Sequence, residues 1–104
     1  MEISKIDWKL YREKLPIWQE KYMERLTAEY IELLNSDKSA SDKFWELKER
    51  IYADKKKPGV CVSPTKNNMV FQLARLLYDG VISQADLEDF SYEIKEAIEI
   101  ILQL

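Results

Sequence analysis

The chain has 104 residues, of which 16 are basic and 19 acidic, and its net charge of −3 argues against a dedicated nucleic-acid binder. This length fits one domain, and a hydrophobic fraction of 46% is typical of a globular chain. Two glycines and three prolines leave little material for turns, which favours a few long helices over many short strands. No apolar run exceeds three residues, so the sequence excludes a transmembrane helix.

The first predicted helix spans about residues 7–34, with Asp7 as its expected N-cap. Its large apolar residues recur every three or four positions, which is the helical period. They are Trp8, Tyr11, Leu15, Trp18, Tyr22, Leu26, Tyr30 and Leu33. Pro16 interrupts this row, so one kinked helix competes with two helices that meet at Leu15. The row keeps its phase across Pro16, and Leu15 would be a poor N-cap, which favours one kinked helix.

A second helix is predicted over residues 40–56, after a polar linker. Ser39 and Asp42 resemble a capping box at its start, and the pair Pro58 and Gly59 ends it. The expected inward face consists of Phe44, Leu47 and Ile51, with Tyr52 as a further candidate. Residues 60–62 are short and β-branched, which indicates an extended segment. Two interpretations stay open for it: a packed connector, or a strand that pairs with another chain.

The third helix is predicted to open at Ser63 with Pro64 in its first position, and to close at Gly80 as a left-handed C-cap. Its expected buried residues are Met69, Leu73, Leu76 and Leu77. The last helix is predicted from Ser83, which forms a second capping box with Asp86, to the final residue. Its heptad seam consists of Leu87, Phe90, Ile94, Ala97, Ile101 and Leu104. The sequence therefore predicts a single all-α domain, residues 1–104, built as an irregular bundle of about four helices.

The residues that usually carry catalysis are missing. The chain has no histidine, which removes the commonest general base and zinc ligand. Cys61 alone cannot build a metal site, and a cysteine nucleophile would normally need a histidine partner. We therefore expect no enzyme, no metal, no cofactor and no small-molecule substrate, although a site built from carboxylates or a lysine stays open. The single thiol and the absence of an apolar leader at the start of the sequence favour the cytoplasm.

The segment around Gly80 invites comparison with a calcium-binding EF-hand loop. If Gly80 is aligned with the loop glycine, Asp86 takes the final acidic position. Arg75 and Leu77 then fall at ligand positions, and neither side chain can coordinate calcium. A helix C-cap followed by a capping box explains the same residues, so we reject the calcium site.

Three features are candidates for binding a partner. Lys55, Lys56 and Lys57 could contact phosphates, or they could form a solvated helix end. Trp45 is next to Phe44, and adjacent helical residues cannot both face one core, so Trp45 either covers a second neighbour or is exposed to a partner. The end of the last helix is apolar on more than one side, which indicates either self-association or burial deep in the core. The candidate residues there are Ile98, Ile100, Leu102 and Leu104.

Two resemblances add to this interpretation. Residues 15–23 (LPIWQEKYM), 42–47 (DKFWEL) and 58–60 (PGV) resemble a family of small uncharacterised helical proteins of Gram-positive bacteria. That resemblance covers the whole chain and implies a bacterial cytoplasmic protein, without implying an activity or site residues. Residues 76–83 (LLYDGVIS), with Leu87 and Phe90, are similar to the helical-hairpin domains called SHOCT. That similarity covers about 30 residues and implies oligomerisation.

The sequence thus predicts a non-enzymatic protein-interaction or oligomerisation module, which associates with itself through its last helix. The alternative is a nucleic-acid-associated regulatory protein that uses the basic end at residues 55–57. A protein partner or a second copy is expected, and no membrane partner.

Overall fold

The computed structural model describes residues 1–103 and is all-helical over that range. Helix α1 spans Lys5–Leu34, α2 spans Ala40–Asp54, α3 spans Met69–Tyr78 and α4 spans Tyr92–Leu102. A short 3₁₀ helix, Gln84–Leu87, lies between α3 and α4. No strand occurs within residues 1–103, so residues 60–62 pair with no other described segment of this chain. None of these helices is both long enough and apolar enough to cross a membrane.

Helix α1 is one continuous helix of 30 residues that runs through Pro16, as the unbroken apolar row predicts. It is about 45 Å long at 1.5 Å per residue. Pro16 lies on the exposed side, where the loss of its backbone N–H is least costly. The helix begins earlier than predicted, because Ser4 and not Asp7 is the N-cap. The Ser4 hydroxyl accepts a hydrogen bond from the Asp7 N–H at 3.1 Å.

The hydrophobic core lies at one end of the molecule, where the first half of α1 packs against α3, the 3₁₀ helix and α4. Its buried members are Tyr11, Leu15, Trp18, Met69, Leu73, Ala74, Leu76, Ile82, Leu87, Phe90, Ile94 and Ile98. We call this part of the molecule the body. The predicted seam residues Leu87, Phe90 and Ile94 are all buried in it.

The second half of α1 continues beyond the body and pairs with α2, and we call this pair, residues 22–54, the arm. The radius of gyration is 16.4 Å, against about 13 Å for a compact domain of this length. The longest extent of the molecule is 52 Å and the other two are 28 and 22 Å. The arm is therefore a projecting helical hairpin that α1 joins to the body, and at its base Arg25 donates a hydrogen bond to the Gly80 carbonyl at 2.8 Å.

The helix starts in the second half of the chain differ from the prediction. Helix α3 begins at Met69, five residues after Pro64, and its N-cap Asn68 makes no side-chain capping bond. The predicted capping box of Ser83 and Asp86 is present, but it opens the 3₁₀ helix and not a continuous last helix. Helix α4 has its own N-cap, Ser91, whose hydroxyl accepts a hydrogen bond from the Ile94 N–H at 3.4 Å. The apolar spacing continues through the interruption, and for that reason the helix break was missed.

The C-terminus of α3 matches the prediction. Gly80 has a φ of +74°, the left-handed conformation that favours glycine. The Gly80 N–H donates to the Leu77 carbonyl at 3.1 Å, and the Val81 N–H donates to the Leu76 carbonyl at 2.9 Å. These two bonds form a Schellman motif, which satisfies the last carbonyls of the helix.

The buried carboxylate of Asp7 joins the starts of two helices. It is only 3% exposed. One oxygen accepts from the Ser91 N–H at 3.0 Å, and the other accepts from the hydroxyls of Ser91 at 2.6 Å and Ser4 at 3.0 Å. In a capping box, an acidic residue of the same helix makes the bond to the N-cap N–H. Helix α4 has Ile94 at that position, so Asp7 of α1 completes its capping from a distant part of the chain.

The connector between α2 and α3 crosses α1 at Gly59. A Cβ atom at this position would lie 2.6 Å from Cδ2 of Tyr22 and 2.7 Å from Cγ2 of Val81. The Gln19 side-chain amide donates to the Pro58 carbonyl at 2.9 Å. Glycine is therefore required here for close approach, because any larger residue would separate α1 from the turn after α3.

Candidate interaction surfaces

Helix α2 has its polar side against α1, which is the opposite of the predicted orientation. Arg50 pairs with Glu29 of α1 at 3.5 Å, and its guanidinium carbon lies 5.2 Å from the centre of the Tyr30 ring. The Tyr30 hydroxyl donates to Asp54 at 2.5 Å, and Asp54 is the one buried residue of α2. The predicted inward face is thus wrong: Arg50 and Asp54 bond to α1 while Phe44, Ile51 and Tyr52 are exposed. The buried apolar residues of the arm, Leu26 and Leu33, belong to α1.

The apolar residues of α2 consequently face solvent. Phe44 is 64% exposed, Ile51 46% and Tyr52 56%. Trp45 is 57% exposed, and its ring meets Phe44 edge-on with centroids 5.0 Å apart. Of the two alternatives for Trp45, exposure is the observed one. Leu47 is half-buried and is the least exposed of the predicted inward residues of this helix.

The three consecutive lysines after α2 do not act as one cluster. The ammonium groups of Lys55 and Lys56 lie over the Tyr52 ring, 4.9 and 3.8 Å from its centroid. Lys57 turns inward and pairs with Asp54 at 3.3 Å, and the hydrogen bond to this carboxylate raises the Lys57 pKa. Lys48 lies over Trp45 at 5.3 Å. The outer side of α2 therefore combines aromatic rings with lysine charges above them.

Only some of the apolar residues at the end of α4 are exposed. Ile98 is 2% exposed and belongs to the core, so its assignment as a partner-binding residue is wrong. Ile100 and Leu102 are 56% and 40% exposed, as the predicted patch requires. Leu104 lies outside the described residues. Beside Ile100 and Leu102, α3 adds Phe71 and Tyr78, 63% and 79% exposed, which the sequence analysis did not single out. These four residues define the α3/α4 face.

Three further exposed apolar residues, which were not predicted as a surface, lie in the second half of α1: Met23, Ile31 and Leu34 are 40%, 58% and 45% exposed. Each directly follows a residue of the predicted apolar row of α1. A second apolar row, displaced by one position, was therefore the feature of the sequence that could have predicted this surface. We define the arm face as Met23, Ile31 and Leu34 of α1 together with Phe44, Leu47 and Ile51 of α2.

The chemistry of possible catalytic or metal sites is limited in the described part of the chain. No group of three or more acidic or cysteine side chains there is close enough to hold a metal ion. Cys61 is a free, exposed thiol. The two buried carboxylates, Asp7 and Asp54, are both hydrogen-bonded within the fold, and no buried side-chain polar atom among the described residues lacks a partner.

Comparisons of the chain with protein-family models, with curated proteins and with solved structures gave no match.

Proposed function

We propose that this protein is a non-enzymatic protein-interaction module that binds another protein chain through exposed apolar surface. The observation that carries the proposal is the orientation of α2, which packs its charged side on α1 and leaves Phe44, Trp45, Ile51 and Tyr52 in solvent. A single exposed apolar side chain is normal on a protein surface, whereas a contiguous patch of several hundred Å² is typical of an interaction site. Three half-exposed aromatic rings alone contribute roughly 300–400 Å².

The composition of this surface fits a protein partner. Aromatic residues dominate the energetics of protein interfaces, and Trp and Tyr are enriched among the residues that contribute most. Phe44 and Ile51 are two helical turns apart on one side of α2, the spacing with which a helix contacts a groove or another helix. The α3/α4 face, with Ile100 and Leu102, is a second apolar surface of this kind. The single free thiol of Cys61 supports a reducing, cytoplasmic location as part of the same proposal.

Site-specific photo-crosslinking in the cells that produce the protein tests this function. A photoreactive phenylalanine analogue replaces Phe44 in the full chain, and the matched control places it at Tyr92, which is 73% exposed on α4. We expect protein adducts at position 44 that disappear when Ile51→Glu is added, and none at position 92. Absence of any protein adduct at position 44, or adducts that persist with Ile51→Glu, would contradict the proposal.

A second candidate function is binding of single-stranded nucleic acid, and the lysines above the Tyr52 ring favour it. Surfaces of this class combine basic charge with aromatic rings on which bases stack. The test is fluorescence anisotropy of a labelled RNA oligonucleotide at low and high salt. Binding should weaken with salt, and Lys55→Gln with Lys56→Gln should reduce the logarithmic salt slope by about 2, whereas Lys95→Gln should leave it unchanged. No binding at low salt would refute this candidate.

A further inference from the structure

We propose that the arm face binds the arm face of a second copy of this chain, so that two arms pair into a four-helix bundle. This inference rests on the proposed function and names its partner. The positions of the apolar residues around each helix, the free space beside them and the charges at their edges support this pairing.

The apolar residues of the two arm helices lie on one side of the hairpin. On α1, Ile31 directly follows Tyr30, which bonds to Asp54 of α2, and Met23 directly follows Tyr22, which contacts Gly59 of the connector after α2. On α2, Ile51 directly follows Arg50, which contacts α1. One residue is a rotation of about 100° about a helix axis. Because α1 and α2 run antiparallel, the same rotation in chain direction moves both rows to the same side. Both rows of the arm face therefore lie on one side of the hairpin, with Thr27 between Met23 and Ile31 on α1.

The body does not cover the arm face. Trp18 marks the side of α1 that packs into the core, and it is 6% exposed. At about 100° per residue, Met23, Ile31 and Leu34 lie about 140–160° around α1 from Trp18. The arm face thus lies on nearly the opposite side of α1 from the core. A second molecule can approach it without contacting α3 or α4 of the first.

The dimensions and composition of the arm face suit a pair of hairpins. The 15 residues of α2 give a length of about 22 Å, and two helices side by side are about 20 Å wide. The projected area is about 440 Å², roughly half of the ~800 Å² per partner of a standard specific interface, which suits a weak and reversible dimer. Two antiparallel hairpins that bury one apolar face each form a four-helix bundle, in which every helix packs on two neighbours.

Charge decides which helices face each other in the dimer. The contacts of Arg50 with Glu29 and of Gly59 with Tyr22 place Lys55 at the level of Glu24 along the arm. Both Lys55 and Glu24 are exposed at the edge of the arm face. If the two-fold axis runs parallel to the helices, α1 of one copy faces α2 of the other at the same level. Lys55 then faces Glu24 of the second copy, twice per dimer. The other two-fold pairing places α2 against α2, and Lys55 then does not face Glu24.

The first experiment measures the mass of the full chain by sedimentation and light scattering over about a hundredfold range of concentration. We expect a reversible dimer, and we expect Ile31→Glu or Ile51→Glu to raise its dissociation constant at least 100-fold, because each change buries a charge at two related places. Ile6→Glu is the matched control: Ile6 is 78% exposed on the same helix, about 37 Å from Ile31, and its change should leave the dimer intact.

A charge exchange tests the arrangement itself. Lys55→Glu and Glu24→Lys should each weaken the dimer about tenfold, and the double variant should restore it. Because all of these side chains are exposed, circular dichroism should show that every variant keeps its helix content. A monomer at all concentrations, or a dimer dissociated by Ile100→Glu but not by Ile51→Glu, overturns the proposal. Failure of the double variant to recover overturns the pairing of α1 with α2.

The outcome also separates this inference from the proposed function. If the purified chain is monomeric while position 44 crosslinks to a different protein in cells, the interaction module stands and the second copy is refuted. If the chain neither dimerises nor crosslinks, both fail. A crosslinked adduct with twice the mass of the chain supports both.

Discussion

Replacement of Asp7 by alanine should destabilise the body more than any surface change. The substitution removes three hydrogen bonds to a buried carboxylate, and bonds to charged groups contribute about 1.5–3 kcal/mol each. It also removes a negative charge from the positive ends of α1 and α4. The serine hydroxyls regain water in part, so we expect a net loss of about 3 kcal/mol, against a typical total stability of 5–15 kcal/mol.

Urea denaturation followed by circular dichroism measures this loss. With the urea dependence usual for a chain of this size, the midpoint should fall by about 2–3 M. Asp7→Asn is the matched control: it keeps the volume and one accepting oxygen but loses the charge, and it should lose about 1–2 kcal/mol.

A double-mutant cycle tests the proposed cause of the loss. If Asp7 acts by capping α4, its replacement should cost about 1–2 kcal/mol less in a Ser91→Ala background than in the natural chain. An Asp7→Ala loss below about 1 kcal/mol, or a loss that is the same in both backgrounds, would refute the bridge between the two helix starts.

Three further predictions concern stability. Gly59→Ala should lower the free energy of unfolding by about 1–3 kcal/mol in a urea titration, because its Cβ overlaps Tyr22. Gly80→Ala has open space around its Cβ but a positive φ, and it should lower the same free energy by about 1 kcal/mol. The reverse order would contradict this explanation. Burial and the hydrogen bond to Asp54 raise the Tyr30 pKa to about 12, while the unfolded chain deprotonates near its ordinary value of 10. The free energy of unfolding should therefore fall as pH rises from 10 to 12. Thermal melting at a series of pH values should show a shallower fall for Tyr30→Phe than for the natural chain. An equal fall in the two proteins would contradict the role given to Tyr30. Phe44→Ser should change the free energy of unfolding by less than about 0.5 kcal/mol because the ring is exposed, whereas Leu73→Ala should cost about 2–5 kcal/mol; a large Phe44 effect would place that ring in the core.

The course of α1 and the core could be predicted from spacing. The apolar row of α1 continues in phase across Pro16, and a helix is the only regular structure that keeps such a row on one side. The predicted left-handed conformation of Gly80 and the capping box at Ser83 are confirmed, because both depend on local backbone chemistry. The start of α4 could not be predicted from spacing, since the acidic residue that completes its cap is 84 positions away in the chain.

The orientation of α2 could not be predicted from its own amphipathic pattern. That pattern assumes that the apolar side of a helix finds the core, but the core of this protein is complete without α2. Arg50 and Asp54 instead find Glu29 and Tyr30 on α1, and the partners of such a polar seam are recognisable only when both helices are placed. Exposure of Ile100 and burial of Ile98 likewise depend on which side of α4 meets α3, which the apolar composition of both sides left open.

The close packing at Gly59 affects the position of the arm relative to the body. Tyr22 of α1, the connector and Val81 of the turn after α3 meet there without a side chain between them, and beside this crossing the Arg25 guanidinium donates to the Gly80 carbonyl at 2.8 Å. From Tyr22 to Leu34 the arm extends about 18 Å, and a tilt of about 10° at its base moves its tip by about 3 Å. Even a methyl group at Gly59 would therefore push α1 away from the connector and displace the tip of the arm, about 18 Å from the substituted residue.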